Sequence, residues 1–478
     1  MSTNSGKAST ILDLPLVLDG TGGSQSTRVH AGLRAAILGG RLAAGLRLPS
    51  SRSLADQLGV RRNAVVVAYE QLLSEGLAEA RVGAGTFVAV RVPRRPAVVD
   101  VAPALPPVSG QGAFALGQTH PNPVLLRRFG QLVRRSLADA KPSQFGYGDP
   151  RGSDRLRQAV AGHLAATRGI SCDPGCILIT TGTQAGLRLC IEMLMAPGDR
   201  AWIEDPGYPS TRRTLEALGA QLVPVPVDEH GLDVTAGRQQ AKDARLAYVT
   251  PSHQFPTGVA MTMARRLALL DWAHENDAWI LEDDYDSEFR FSGAPLTALA
   301  GIDGRGRVIY FGTFSKTLFP GLRCGYAVFP PALIARAVAA RATADRFPPS
   351  VLEDPLAQLI SDGDFAEHVR KMRKRYRAAR DLLAESLVQA SGGILRVRVP
   401  DQGLHLVAML PAGLPPNAAE QIRSVANVEG RLLSETRIIP RGPDGFVLGY
   451  SGHAVPALRD AAKRLGHAVQ ARLLQLQQ

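Results

Sequence analysis

Cysteine is scarce: Cys172, Cys176, Cys190 and Cys324 are the only four in 478 residues, and no two form a C-x-x-C pair. Such usage does not support a disulfide framework and predicts free thiols in a reducing compartment. Also missing is any run of about 18 apolar residues, so no membrane span is expected. The first 25 residues lack a charged start followed by an apolar stretch, so no secretory signal is expected and the predicted location is cytoplasmic. Lysine is absent between Arg28 and Arg95, where eleven arginines face only four acids, Asp56, Glu70, Glu75 and Glu79. Overall the chain carries +12, and the arginine block suggests a nucleic-acid partner, with a basic solubilising surface as the alternative.

Hydrophobic content of 45% with a mean hydropathy of −0.02 is ample for soluble cores, and the length calls for two or three compact units. Residues 1–25, rich in Ser, Thr and Gly, read as a flexible N-terminus. Residues 26–90 form a compact block. Residues 91–112 carry Pro93, Pro96, Pro103, Pro106 and Pro107 and read as a semi-rigid linker. From 113 to 478, strand-like runs alternate with helical stretches: Ile177–Thr180, Ala201–Glu204, Leu222–Val227, Ala247–Thr250, Trp279–Glu282 and Val308–Phe311. That alternation predicts an α/β domain with a mostly parallel sheet, followed by a smaller C-terminal α/β subdomain.

In the basic block, Val29, Leu33 and Ile37 share one face of a first helix that Gly39-Gly40 ends. Pro49-Ser50-Ser51 signals the start of a short second helix carrying Leu54 and Leu58. After Gly59, a third helix starts near Arg62, with Val65, Tyr69 and Leu72 on one face. This is helix–turn–helix spacing, which sets the start of the third helix in a major groove. Leu77–Ala80 and Thr86–Val90 flank Arg81-Val82-Gly83-Ala84-Gly85 as two strands of a wing that approaches a phosphate backbone. Two local features oppose this reading. Val65-Val66-Val67 has weak helix propensity, and Arg61 stands where a small hydroxyl residue would cap the third helix. The block resembles the winged helix–turn–helix of the GntR family, most closely at Leu48-Pro49-Ser50-Ser51-Arg52-Ser53-Leu54-Ala55 and Gly83-Ala84-Gly85-Thr86-Phe87-Val88. The resemblance implies that Ser51, Arg52, Arg61, Arg62, Asn63, Gly83 and Gly85 lie near double-stranded promoter DNA.

The large domain carries one lysine in a distinctive setting, Gly312-Thr313-Phe314-Ser315-Lys316, where an apolar run ends in hydroxyls, with Arg323 seven positions on. A lysine that bears a cofactor as a Schiff base needs such a fixed place, and Ser, Thr and Arg suit a phosphate. Pyridoxal 5′-phosphate makes four further demands. A carboxylate must face the pyridine nitrogen. Trp279-Ile280-Leu281-Glu282-Asp283-Asp284-Tyr285-Asp286-Ser287-Glu288 offers five, of which Asp283, just past the apolar run, is the best placed, with Tyr285 within reach of the ring oxygen. A solvated acidic loop or a divalent-metal site is the alternative; no metal is expected. A phosphate cup is expected from Gly182, Thr183 and Gln184 at a helix start, closed by Thr313, Ser315 and Arg323. Tyr208, in Glu204-Asp205-Pro206-Gly207-Tyr208-Pro209, is expected over the ring. His253 or Gln254 is expected near the ring oxygen.

These segments resemble the fold-type I, class I aminotransferases over roughly residues 113–470. Joined to the winged block they resemble the MocR subfamily of GntR regulators, on Thr250-Pro251-Ser252-His253-Gln254-Phe255-Pro256-Thr257-Gly258 and Glu282-Asp283-Asp284-Tyr285-Asp286-Ser287-Glu288-Phe289 above all. The resemblance implies a homodimer in which each winged module packs on the partner's large domain. It further implies that Tyr147 reaches the phosphate of the neighbouring subunit. It implies a regulator sensing pyridoxal phosphate or a small amino compound, with a working aminotransferase fused to a DNA-binding domain as the alternative. One departure stands out: the stretch Phe446–Ser451, where relatives hold a substrate carboxylate, has no arginine, and Arg437 and Arg441 are only nearby.

Overall fold

A computed structural model describes residues 23–90, 110 and 112–477, and the chain divides into two compact units, Met1–Pro107 and Val108–Gln478. Most of the expected flexible N-terminus (to residue 22) and most of the expected linker (91–109 and 111) lie outside the described residues.

The first unit holds α1 (Gln25–Leu38), α2 (Ser51–Leu58), α3 (Arg62–Ser74), β1 (Ala78–Arg81) and β2 (Gly85–Val88). Helix α1 begins inside the segment expected to be flexible, because Ser24 accepts from the Thr27 N–H at 3.3 Å and caps it. Ser50 caps α2 in the same way through Ser53 N, 3.1 Å away. Arg61 makes no side-chain cap to α3; its own N–H donates to Gln25 Oε1 at 3.2 Å. The Val65–Val67 run stays helical because tertiary packing wins: Val65 is fully buried among Val29, Leu33, Leu54, Tyr69 and Leu72. Burying such a side chain is worth about 1.5–3 kcal/mol, against roughly half a kcal/mol of lost propensity. The Tyr69 hydroxyl donates to the Pro49 carbonyl at 2.8 Å and ties α3 to the entry of α2. Strands β1 and β2 pair antiparallel, Ala78 opposite Val88 and Arg81 opposite Gly85, so pairing runs one residue further toward the wing turn than expected and stops earlier at the base.

The second unit is built on an eight-stranded sheet. Its strands are β3 (Ile177–Thr180), β4 (Arg200–Asp205), β5 (Gln221–Asp228), β6 (Gly231–Leu232), β7 (Leu246–Val249), β8 (Trp279–Asp284), β9 (Val308–Thr313) and β10 (Gly325–Val328), in the order β3-β10-β9-β8-β7-β4-β5-β6. Contacts among β5, β4, β7, β8 and β9 are parallel; β10 runs antiparallel between β3 and β9. Helices α4 (Pro123–Ala138), α5 (Asp154–Arg168), α6 (Thr183–Leu194), α7 (Pro209–Ala217), α8 (Val234–Ala241), α9 (Met263–Glu275), α10 (Leu299–Ile302), α11 (Pro331–Ala344) and α12 (Glu353–Ser361) surround it. Strands β7, β9 and β10 are buried along their whole length, as a sheet covered on both faces requires. Two of the three tryptophans, Trp202 and Trp272, stack at 3.8 Å in this core.

The long α13 (Asp364–Ala390) leads to the smaller C-terminal subdomain, an antiparallel sheet of β11 (Arg396–Arg398), β12 (His405–Met409), β13 (Arg431–Leu432) and β14 (Gly445–Gly449) in the order β11-β12-β14-β13. Helices α14 (Ala418–Ala426) and α15 (Val455–Gln477) complete a core that includes Phe289, Tyr376, Leu406, Phe446 and Leu465. All four cysteines are free.

Candidate functional site

Strands β4, β7, β8 and β9 all end at one edge of the large sheet, and a cavity of about 270 Å³ opens there. Ligands of open α/β sheets bind at this carboxyl edge. Lys316 sits in its wall just after β9, half-buried, with Nζ 3.4 Å from the Gly117 carbonyl oxygen. Burial lowers the lysine pKa, opposed by Asp286 and Asp283, so the amine gives up its proton more readily than a free lysine. Gly117 has φ +75°, a backbone conformation that favours glycine, and a Cβ there would stand 2.3 Å from Nζ, so any larger residue would push the lysine's flexible end aside.

The five acids around Asp283 sort themselves by partner. Glu282 accepts from the N–H groups of Leu299 and Ala300, both at 2.8 Å. Asp284 is held by Arg168 at 2.6 Å and by the Tyr310 hydroxyl at 2.7 Å. Asp286 faces His253 Nδ1 at 3.0 Å. Glu288 lies 3.7 Å from His163. Asp283 alone lines the cavity. The Tyr248 hydroxyl donates to its Oδ2 at 2.7 Å, and its buried Oδ1 has no partner among the described residues. Burial pushes this carboxyl up to about 7. Asp283 belongs to β8 itself rather than lying past its end, so its position is set by the sheet.

Gly182, Thr183 and Gln184 lie where β3 passes into α6, whose first N–H groups carry no side-chain cap. Gly182 has φ +108°, and Arg323 stands beside it, 3.5 Å from where a Cβ would be. Thr313 and Ser315 line the same end of the cavity. An anion here would meet free helix N–H groups, hydroxyls and a guanidinium, a setting in which the helix terminus alone contributes about 0.3–1 kcal/mol. Tyr208 and Tyr285 also line the cavity, Tyr208 packed edge-on against Phe255 with ring centroids 5.5 Å apart.

One expectation needs correction. His253 and Gln254 do not line the cavity: His253 lies behind Tyr285, and Gln254 is turned to Glu204 and Pro206. The loop turns back at this point, so its polar groups satisfy one another instead of facing the pocket. The stretch Phe446–Ser451 has no arginine, but Arg431 lines the cavity from β13, which pairs Arg431 with Val447 of that stretch. Arg437 and Arg441 point elsewhere; both line a separate cleft, and Arg437 donates to the Gly442 and Pro443 carbonyls. Tyr147 is 82% exposed and lies outside the cavity of its own chain. Residues not foreseen are Leu116, Gly117, Tyr248, Thr250, Phe255, Leu404, His405 and Arg431. Burial, with His253 beside it, pushes His405 down to about 3, so this wall of the cavity is a neutral imidazole.

In the first unit, Arg52, Arg61, Arg62 and Asn63 are exposed around the start of α3, with Arg62 Nε 3.4 Å from Ser51 Oγ. Gly83 and Gly85, at φ +74° and +108°, form the exposed wing turn.

Residues 25–88 match the family of bacterial regulatory proteins, gntR family, and residues 110–439 match aminotransferase class I and II. The chain is 35% identical to the probable rhizopine catabolism regulatory protein MocR of Rhizobium meliloti, over 92% of this chain and 93% of that protein. The chain belongs to the MocR-type regulators of the GntR family. As such a MocR-type chain it is a transcriptional regulator that joins a DNA-binding helix–turn–helix to an aminotransferase-like domain. It is also 31% identical to the pyridoxine biosynthesis transcriptional regulator PdxR of Corynebacterium glutamicum, over 96% and 99% of the two chains. Its large unit resembles the Pyrococcus horikoshii kynurenine aminotransferase solved with PMP, at a TM-score of 0.69 and 27% identity, over 76% of this chain and 91% of that one.

Proposed function

We propose that this regulator holds pyridoxal 5′-phosphate on Lys316 and that a small anionic amino compound, or the cofactor itself, sets its affinity for promoter DNA. The observation that carries the reading is the buried Oδ1 of Asp283, without a partner among the described residues, in a cavity that Lys316 also lines. An unpartnered buried carboxylate oxygen is costly, and a protonated pyridine nitrogen is a group that would satisfy it. The residues fit the cofactor at the other end too. Gly182, Thr183, Gln184, Thr313, Ser315 and Arg323 would take the phosphate, and Tyr208 and Tyr285 would bracket the ring. When bound, the cofactor supplies an electron sink for an amino compound attached to it.

The chain's own residues divide the remaining work. Lys316, with its lowered pKa, supplies a readily deprotonated amine for attachment. Asp283 would keep the ring nitrogen protonated, and Tyr248 orients that carboxylate. Arg431 would hold an effector's carboxylate or sulfonate through charge-assisted hydrogen bonds. Because an effector would compete with Lys316 for one attachment point, its binding changes local charge and contacts, the differential free energy a switch requires. Two copies would pair, with the exposed Tyr147 reaching the partner's phosphate site. Arg52, Arg61, Arg62 and Asn63 would contact DNA.

Arg431 also favours a second reading, a working aminotransferase, since it would clamp a substrate carboxylate from the cavity wall. Equilibrium dialysis of pyridoxal phosphate against the wild-type and Lys316→Ala proteins tests the first reading: tight binding should depend on the lysine. Equal binding by both proteins would end it. Sustained turnover with an amino donor and a keto-acid acceptor, at rates of order 1 per second or more, would establish the second.

A further inference from the structure

We propose that His253, which does not touch the cavity, is a positioning residue that fixes the Tyr285 hydroxyl on the ring-oxygen side of the cofactor site. The proposal rests on the pyridoxal phosphate reading above. Tyr285 lines the cavity, and its hydroxyl is held from behind twice by one residue: it donates to the His253 carbonyl oxygen at 2.9 Å and lies 3.2 Å from His253 Nδ1. That Nδ1 also lies 3.0 Å from both oxygens of Asp286. Three acceptors around one nitrogen assign its proton to Nδ1. Both side chains of the His253–Asp286 pair are about 1% exposed.

The imidazole has no freedom to turn. Gly403, at φ +97°, would bring a Cβ to 2.0 Å from its Cε1, and Gly258 would bring one to 3.3 Å from Nε2. Nε2 has no partner among the described residues, so the ring is held by shape on one side and by Asp286 on the other. The same loop holds a second cavity residue, since His405 Nε2 lies 3.1 Å from the Pro256 carbonyl oxygen. A buried polar pair removed from water is expensive unless its geometry is exact in both partners. Here that geometry leads to a single hydroxyl on the pocket wall. Burial, with Asp286 and Asp283 nearby, pushes the Tyr285 phenol upward, so it remains a donor at every working pH.

With the cofactor bound, the single phenol hydrogen would turn from the His253 carbonyl to the ring oxygen, leaving His253 Nδ1–H to hold the phenol oxygen in place, and a donor so placed would weaken the ring oxygen's hold on a proton. Misplacing the phenol therefore raises the pH midpoint of the cofactor's absorbance band. The test is an absorbance pH titration of the pyridoxal phosphate-loaded full chain, after treatment with EDTA. His253→Ala should raise the midpoint by about one unit, tenfold in proton affinity. His253→Asn places an amide nitrogen where Nδ1 was and should restore most of the shift, whereas His253→Gln misplaces it and should not. In a Tyr285→Phe background His253→Ala should add little, since the two act through one group. A folded His253→Ala or His253→Gln protein with the wild-type midpoint would overturn the proposal, as would full additivity with Tyr285→Phe. If EDTA alone gave the wild-type protein the His253→Ala spectrum, a metal held by His253, Asp286 and His405 would replace the account. A wild-type protein with no band at all would instead refute the pyridoxal phosphate reading itself.

Discussion

Tyr248 donates its hydroxyl to one oxygen of Asp283 at 2.7 Å and leaves the other oxygen buried in the cavity wall without a partner among the described residues. The tyrosine orients the carboxylate without satisfying it. The consequence for the cofactor-free protein has a definite sign. A carboxyl raised from 3.8 to about 7 by folding binds more protons in the native state than in the unfolded one. Its contribution therefore lowers stability as pH rises from about 4 to 7, at roughly 1.4 kcal/mol per unit, and levels off above that. Asp283→Asn removes the effect. Denaturant titrations of the cofactor-free proteins should find Asp283→Asn the more stable at pH 8, with the gap shrinking at pH 5. With pyridoxal phosphate present the order should invert, because the variant lacks the charge that holds the ring nitrogen.

Arg431 should decide which compounds are sensed. Arg431→Gln removes a charged hydrogen-bond donor worth about 1.5–3 kcal/mol. The variant should keep the cofactor and lose roughly 10- to 100-fold in apparent affinity for anionic amino compounds, read by competition against the cofactor spectrum. An unchanged affinity would show that the anionic group is held elsewhere.

Arg61 occupies the N-cap of α3 without capping it. Arg61→Ser should supply the missing acceptor and stabilise the winged unit by about 0.5–1 kcal/mol, seen as a rise in its unfolding midpoint. The same change should weaken binding to DNA if the guanidinium contacts a phosphate. A variant both more stable and weaker on DNA would show that helix stability was exchanged for a phosphate contact.

Much of this site could be read from local pattern. Lys316, Asp283 and the Gly182 turn stand at the ends of short apolar runs, and such ends become the carboxyl edge of the sheet whatever its order. What could not be read depends on long-range register. Arg431 reaches the cavity only because β13 pairs with β14, Arg431 beside Val447, and two-residue strands leave no periodic signal. Tyr248 lies inside an apolar run that carries no site signal of its own, and only the pairing of β7 with β8 sets it against Asp283. Gly117 comes from a segment 199 residues before Lys316, and its role rests on a close approach that no local motif announces. His253 was placed in the pocket from its motif, but the turn of its own loop puts it one layer behind.

On the DNA side, Arg62→Ala and Arg52→Ala should each weaken operator binding across sequences and reduce the slope of affinity against salt by about one. The cofactor spectrum of both variants should match wild type. Loss of the spectrum would mean that the two units do not divide the work as described.

The most direct measurement is operator affinity, on a fragment selected by the protein from random DNA, for wild-type and Lys316→Ala chains with and without pyridoxal phosphate and a panel of amino acids, amines and sulfonates. A coupling of ordinary size would change wild-type affinity by about 5- to 150-fold with one ligand combination and leave Lys316→Ala unmoved. A Lys316→Ala protein that responds as wild type does would contradict the account, because the signal would then enter the regulator without passing through its lysine.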